Sequence, residues 1–219
     1  MSKLNFQHRT FVSLLSSGLD SPIATYLMLK KGFDGILLSF KVSNQNDTRF
    51  NAKIRKIAHH LKQITNKKLV LYIINHKETL EKFVEQGKRK LTCLFCKSFM
   101  LYSASVLAQN LNAEFIVTGD ILGEQASQTL TNISAVQNIV NDIPVIRPLV
   151  GFEKKDVLKL SHTLGFYELS TLPDIQCTFN PLYPETQADI EEIRNSIQNM
   201  NFSSNSQIKL KNAQMIIVE

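Results

Sequence analysis

The stretch FVSLLSSGLDSPIATY, residues 11–26, decides how the chain is read, because an apolar run, a turn of small residues and a helix start follow one another without a gap. Residues 10–15 have the β-branched and apolar content of a buried strand. Ser16, Ser17 and Gly18 are small enough for backbone amides to crowd around an anion. Pro22, with its fixed φ and missing N–H, suits a first helical position, which predicts a helix from Pro22 to about Lys31. Its N-terminus would face the small-residue turn, where free amides and the positive end of the helix dipole favour phosphate or pyrophosphate. An ordinary strand-turn-helix corner has the same outline.

Outward from that corner the chain alternates strands and helices. Residues 35–40 (GILLSF) have the length and apolar content of a buried parallel strand, and a polar loop at 41–47 follows. Ala52, Ile54, Ile57, Ala58, Leu61 and Ile64 recur at helical spacing, predicting an amphipathic helix over 48–65 with its basic residues outward. Residues 68–75 read as a third strand and 78–86 as a short helix. A longer helix follows over 94–111, with Cys93 and Cys96 at its first turn, and 114–118 reads as a fourth strand. A helix over 132–140, a fifth strand opening at 144–146 and a helix over 154–164 stopped by Gly165 continue the pattern.

This alternation predicts an α/β fold, a doubly wound parallel sheet of about five strands. Residues 166–184 form an irregular loop, long enough to be read as functional or disordered. Residues 185–200 read as a polar helix, 201–206 (NFSSNS) as a linker, and 207–219 as a segment able to add a final strand. On this reading a nucleotide domain occupies 1–184, and a C-terminal helix and tail occupy 185–219.

A chain of 219 residues with 43% hydrophobic content suits one α/β domain with a modest appendage. No apolar run approaches the roughly 18 residues that span a membrane, and the first ten residues lack a leader pattern, so the cytoplasm is the expected location. The net charge of +6 favours a polyanionic partner, with nucleotide and RNA both fitting. Lys53, Arg55, Lys56, Lys62, Lys67 and Lys68, and again Lys88, Arg89 and Lys90, are either solvated helix faces or an RNA footprint.

The small-residue turn lacks the lysine of the Walker loop and the spaced glycines of the dinucleotide fingerprint. Its S-x-G-x-D-S pattern, Ser16 to Ser21, resembles instead the SGGxDS signature of the PP-loop ATP pyrophosphatases. There the loop holds the pyrophosphate that ATP loses when a substrate is adenylated. Ser17 stands where that family usually has glycine, and serine tolerates positive φ poorly. LLSSGLDSPIATYLMLKKG (14–32), TGDILGEQASQTL (118–130), PVIRPL (144–149) with GFEKKDV (151–157), and QCTFNPLYPET (176–186) occur in the same order as similar blocks in the 4-thiouridine synthetase (tRNA sulfurtransferase) family.

The resemblance implies adenylation of a tRNA uridine at its C4 oxygen, followed by displacement of AMP by sulfur. It implies ATP contacts from Leu14 and Leu15, adenine-side positions at Ser39 and Phe40, and further nucleotide positions at Lys97, Gly119 and Gln128, beside the loop residues Ser16, Ser17, Gly18 and Ser21. Asp20 and Lys154 match residues needed for activation. Arg147 or Lys154 is suited to neutralising the α-phosphate, and Asp20 to holding Mg²⁺ or orienting the phosphates. Glu124 replaces the glutamine usual in its block. An adenylating enzyme acting on another carbonyl, and a partner subunit that has lost catalysis, are the rival readings.

Three cysteines complete the picture: Cys93, Cys96 and Cys177. A C-x-x-C pair at a helix start is expected to have lowered thiol pKa values and suits metal, redox or sulfur chemistry. Cys177 matches the sulfur-handling cysteine of the family, and the pair with a distal third cysteine resembles the archaeal-type members, which carry an iron-sulfur cluster. A [4Fe-4S] cluster on three protein ligands leaves one iron open. A zinc site completed by a histidine, His162 being the nearest candidate, or by water is the alternative.

The sulfur donor is expected to be sulfide or a cysteine desulfurase persulfide. Family members usually carry an N-terminal RNA-binding module; a separate subunit is expected to supply it, the alternatives being that the basic helix suffices or that the substrate is not tRNA, and a homodimer is a further expected assembly.

Overall fold

The computed structural model describes residues 9–44, 48–140, 142–173 and 177–219. The leader reading of the first eight residues, the end of the polar loop at 45–47, residue 141 and loop residues 174–176 lie outside the described residues. The first strand, β1 (Thr10–Leu14), runs through the middle of a six-stranded sheet. On one side it pairs with β2 (Asp34–Lys41), which pairs with β3 (Leu69–Asn75). On the other side it pairs with β4 (Phe115–Val117), which pairs with β5 (Val145–Ile146).

All four pairings are parallel, with Val12 opposite both Ile36 and Ile116. The sheet is thus the expected α/β type with one addition: β6 (Gln214–Val218) lies antiparallel on the outer edge of β3. A strand entering from a C-terminal helix reaches that edge without a crossover, which is how an antiparallel strand joins a parallel sheet.

Connecting the strands are α1 (Asp20–Lys30), α2 (Arg49–Thr65), α3 (Lys77–Gln86), α4 (Thr92–Leu111), α5 (Leu130–Gln137), α6 (Lys154–Thr163), α7 (Tyr167–Ser170), α8 (Ile190–Asn199) and α9 (Phe202–Lys211). Helices α1, α2, α6 and α7 cover one face of the sheet, over Phe11, Leu37, Leu71 and Val117. Helices α3, α4, α5, α8 and α9 cover the other, over Val12, Ile36, Leu38, Val70 and Ile116. Alternate residues of each strand feed the two cores, which is why the strands read as continuous apolar runs.

Three local expectations are corrected. Helix α1 begins at Asp20, so Pro22 is its third residue. The first four amides of a helix have no intrahelical acceptor, so proline there costs no bond. Residues 201–206 are not a linker: Asn201 takes a left-handed φ of 46°, and the chain enters α9 with Phe202 buried against Phe95, Phe99 and Tyr102. Burying one such ring is worth about 1.5–3 kcal/mol, which outweighs the loop preference of the serines and asparagines around it. Residues 185–219 thereby pack on the same core as the rest, through Ala188, Ile193 and Phe202.

The third correction concerns the apolar runs. The Arg89–Leu111 stretch, a 3₁₀ turn (Arg89–Leu91) leading into α4, is by length and composition apolar enough to cross a membrane. Here it is the central core helix, with Leu94, Phe95, Phe99, Ala104 and Ala108 buried between the sheet and α9.

Candidate active site

The strand order reverses between β1 and β4, the switch point at which doubly wound sheets bind ligands. A cleft of about 1000 Å³ opens there, beyond the carboxyl ends of the strands. Leu14, Leu15, Ser16, Ser17, Gly18, Asp20, Ser21, Phe40, Lys97, Gly119, Gln128, Arg147 and Cys177, all singled out in the sequence, line it. Ser39 does not: its side chain is fully buried and its hydroxyl donates to the Leu15 carbonyl at 2.8 Å, fixing the end of β1.

The corner between β1 and α1 is held by hydroxyls. Ser21 Oγ accepts from the Ser16 amide at 2.8 Å and shares a hydrogen bond with Ser16 Oγ at 2.9 Å. Thr25 links the same turn of α1 to Ser13 of β1 at 2.7 Å. No side chain caps α1, so its first amides point into the loop. Gly119 presses directly on this turn: a Cβ there would lie 2.7 Å from the Ser21 amide and 2.8 Å from its Cα, so only glycine permits the approach. Gly18 differs, since a Cβ would meet only Ser16 Oγ at 3.5 Å. Ser17 is not among the residues with positive φ, so serine in place of glycine brings no backbone strain here.

Ion pairs stand in the cleft and beside it: Asp20, Lys97, Asp120 and Arg147 line it, whereas Lys154 and Glu124 do not. Lys154 Nζ, at the start of α6, contacts both Asp20 oxygens at 2.7 and 2.9 Å, and Glu124 at 3.6 Å. Glu124, where the family pattern has glutamine, therefore brings a second carboxylate to the same ammonium. The sequence reading missed Asp120, just past β4. It is nearly buried and accepts from Lys97 at 2.8 Å, Thr118 at 2.8 Å, Arg147 at 3.3 Å and Gln128 at 3.4 Å. Burial alone would raise its carboxyl, but Lys97, Thr118 and Arg147 outweigh burial and hold it below the usual range. An acidic residue three positions beyond the end of β4, at the switch point, was the available signal.

Lys53, assigned to the outward basic face, is also corrected. It is buried, lines the cleft and donates to the Leu172 carbonyl at 2.9 Å. Gln128 Oε1, by contrast, is buried without a partner among the described residues. A buried orphan acceptor in a cleft of this size suits a ligand that brings a donor, as an adenine amino group does. Mg²⁺ is bound by one or two carboxylates together with phosphate oxygens. Asp20, which lines the cleft, meets that need, with Glu124 as a second carboxylate on the same Lys154 ammonium.

The cysteines lie at the other end. Cys93 and Cys96 sit on the first turn of α4, and Cys177 approaches from the loop after α7, beside the cleft. Cys93 Sγ reaches Asn180 Oδ1 at 3.8 Å. The thiols are not activated as the helix start predicted. Burial first, then the neighbouring Cys177, pushes both Cys93 and Cys96 up, and Lys97 only partly opposes it. Among the described residues no three His, Cys, Asp or Glu side chains are gathered around a single point. A lone zinc would need its sulfurs about 2.3 Å from one centre, whereas a polynuclear cluster spans wider spacings with the same soft donors. His162 is on the opposite face of the sheet, exposed and stacked on Tyr167 at 3.9 Å, so it does not complete a zinc site.

Three comparisons bear on this arrangement. The Thiamine biosynthesis protein (ThiI) family profile matches residues 6–202. A probable tRNA sulfurtransferase of Methanocaldococcus jannaschii is 38% identical over 185 residues, 83% of this chain and 47% of that protein. One from Thermococcus kodakarensis is 38% identical over 187 residues, 84% and 48%. The chain thus spans about half the length of the curated relatives it matches.

Among solved structures, a 4-thiouridine synthetase in complex with RNA and bound ATP superposes with a TM-score of 0.88 at 26% identity, covering 96% of this chain and 55% of that one. NMN synthetase from Francisella tularensis, with a TM-score of 0.56 at 17% identity, shares the fold. With the profile matching nine-tenths of its length, the chain belongs to the Thiamine biosynthesis protein (ThiI) family.

Proposed function

We propose that this chain is the ATP-binding half of a tRNA sulfurtransferase, acting on a uridine in two steps. In the first, the uridine C4 oxygen attacks the α-phosphorus of ATP and the bond to pyrophosphate breaks. In the second, sulfur attacks C4 and the C4–O bond breaks, AMP leaving with the electron pair. The observation that carries this reading is the cleft itself: the loop at Ser16–Gly18, the open start of α1, Lys97, Arg147 and Cys177 all line one cavity at the switch point. The two sulfurtransferases and the ATP-bound 4-thiouridine synthetase lend it support.

The roles follow from position. Amides at the start of α1 receive the departing pyrophosphate. Asp20 holds Lys154 at the loop, where its ammonium offsets charge growing on the α-phosphate. Asp20 and Glu124 would hold Mg²⁺ against the phosphates. Lys97 and Arg147, kept side by side by Asp120, supply the remaining positive charge. Phe40 and Gln128 face the base.

Cys93, Cys96 and Cys177 would hold a [4Fe-4S] cluster, whose contribution when bound is delivery of sulfide through the iron that lacks a protein ligand. A cysteine desulfurase persulfide is the competing donor. We assign the body of the tRNA to an RNA-binding module outside these residues, in keeping with relatives about twice as long, and the reaction to the cytoplasm.

Pyrophosphate and AMP release from ATP tests the reading, measured with the chain, transcribed tRNA and sulfide, anaerobically. Release that depends on tRNA, with 4-thiouridine in the digest, is the expected result. Absence of tRNA-stimulated pyrophosphate release would remove the adenylation step.

A further inference from the structure

Leu182 and Tyr183 are the two most exposed large apolar side chains among the described residues, at 83% and 81%. They are not at the end of a slack loop. Pro181 and Pro184 fix φ on either side of the pair. Before them, Phe179 is buried in the core and Asn180 lines the cleft. After them, the Glu185 amide donates to the Lys90 carbonyl at 3.0 Å, and Asn132 Nδ2 donates to the Glu185 carbonyl at 2.8 Å. Thr129 Oγ1 adds a bond to the Thr186 carbonyl at 2.7 Å. The chain thus spends anchoring contacts to keep an aromatic ring in water at the rim of the cleft, three residues and so at most about 11 Å of chain from its wall.

The charge beside this tip is positive. Lys90 pairs with Glu185 at 2.6 Å and Lys88 pairs with Glu192, which neutralises both acidic neighbours. Arg89, exposed on the same 3₁₀ turn, makes no ion pair among the described residues. An exposed ring on a segment anchored at Lys90, next in sequence to Arg89, with Glu185 and Glu192 already ion-paired, matches a single-stranded nucleic acid better than a protein surface. It offers stacking to a base and a cation to the adjoining phosphate.

We propose that Tyr183 is a stacking platform for a nucleobase flanking the uridine held in the cleft, with Arg89 meeting the neighbouring phosphate and Leu182 packing beside the base. This rests on the tRNA reading above. The ring opens the nucleotide chain next to the target, so that the uridine enters the cleft while its neighbour stays at the rim.

The test uses the full chain, an ATP analogue and a short single-stranded RNA carrying one uridine with 2-aminopurine as its neighbour. Wild-type protein is expected to bind and quench the 2-aminopurine. Tyr183→Ala should weaken binding about 5- to 150-fold, the range of one base-aromatic stack, and abolish quenching, while Tyr183→Phe keeps both. Arg89→Gln should weaken binding and lower the salt slope by about 0.7, the value of one phosphate contact on a single strand. ATP affinity should be unchanged in all three variants.

RNA binding by Tyr183→Ala within twofold of wild type, with quenching intact, overturns the platform and leaves the tRNA reading standing. If that variant also loses thiolation from a protein persulfide donor, the tip is a protein-docking site instead. A wild-type chain that binds ATP but not this RNA overturns the platform, whereas the tRNA reading falls only if tRNA-dependent pyrophosphate release is absent as well.

Discussion

The two ends of the cleft are built on different terms. At the phosphate end, Ser16, Ser21 and Thr25 are tied within a dozen residues of chain, and Gly119 packs on the same turn, so the loop is set by local hydroxyl bonds and close packing whether or not a ligand arrives. At the sulfur end, Cys93 and Cys96 meet Cys177 across more than eighty residues of sequence. Burial and the neighbouring thiols push the first two upward, and among the described residues no ligand set is closed around one point. The phosphate end is preorganised for charge. The sulfur end is assembled only in its ingredients, and it gains when something that takes thiolates is added.

Substitutions can break or sharpen that contrast. Cys177→Ser is expected to abolish 4-thiouridine formation altogether while leaving tRNA-dependent pyrophosphate release within about threefold of wild type, well under one catalytic interaction of 10²–10³. Unfolding of the variant, followed by circular dichroism, would make Cys177 structural and erase the division of labour. Lys154→Ala should slow pyrophosphate release by about 10²–10³, the loss of one preorganised charge. Thermal stability should barely change, because the Asp20 pair is partly exposed and such pairs contribute about 0–1 kcal/mol. Unaltered turnover would move Lys154 out of the mechanism.

Two glycines divide the phosphate end further. Gly119→Ala forces a Cβ into the backbone of α1 and should cost stability at or above the about 3 kcal/mol upper end of overpacking. Gly18→Ala meets only a movable hydroxyl, so its melting temperature should hold while ATP affinity falls. Equal losses of stability in both would mean the loop is not open in the way its contacts indicate.

What could be read in the sequence follows the same division. The strands β1 to β4, the loop and α1 were legible because buried parallel strands are continuous apolar runs and the loop's residue types are local. What escaped depended on distant partners. Phe202 looked like part of a polar linker because its partners, Phe95, Phe99 and Tyr102, lie about a hundred residues away. Spacing puts Lys53 on its basic helix face, since periodicity does not say that a lysine stem can turn inward to a carbonyl. The edge strand β6 was legible as a strand but not as an antiparallel one. The expected low thiol pKa values failed for a plain reason: a helix start lowers a pKa only if burial does not outweigh it.

Asp120 joins the two ends, since it holds Lys97, one helical position from Cys96, and Arg147, which lines the cleft. Asp120→Asn keeps the shape and removes the charge. Losing two charge-assisted bonds is offset in part by the burial cost that the carboxylate no longer carries, so about 1–2 kcal/mol of stability should go at neutral pH. The sign of the pH dependence separates charge from shape. The folded carboxyl is held below its ordinary value, so the stability it contributes is present above about pH 4, the unfolded value. That stability is lost as pH falls through the folded value. Urea midpoints of wild type and Asp120→Asn should therefore differ at pH 7 and converge on acidification below pH 4. A gap that stays constant down the titration would show that Asp120 acts through packing alone, and the two cations would then owe their placement to the loops that carry them.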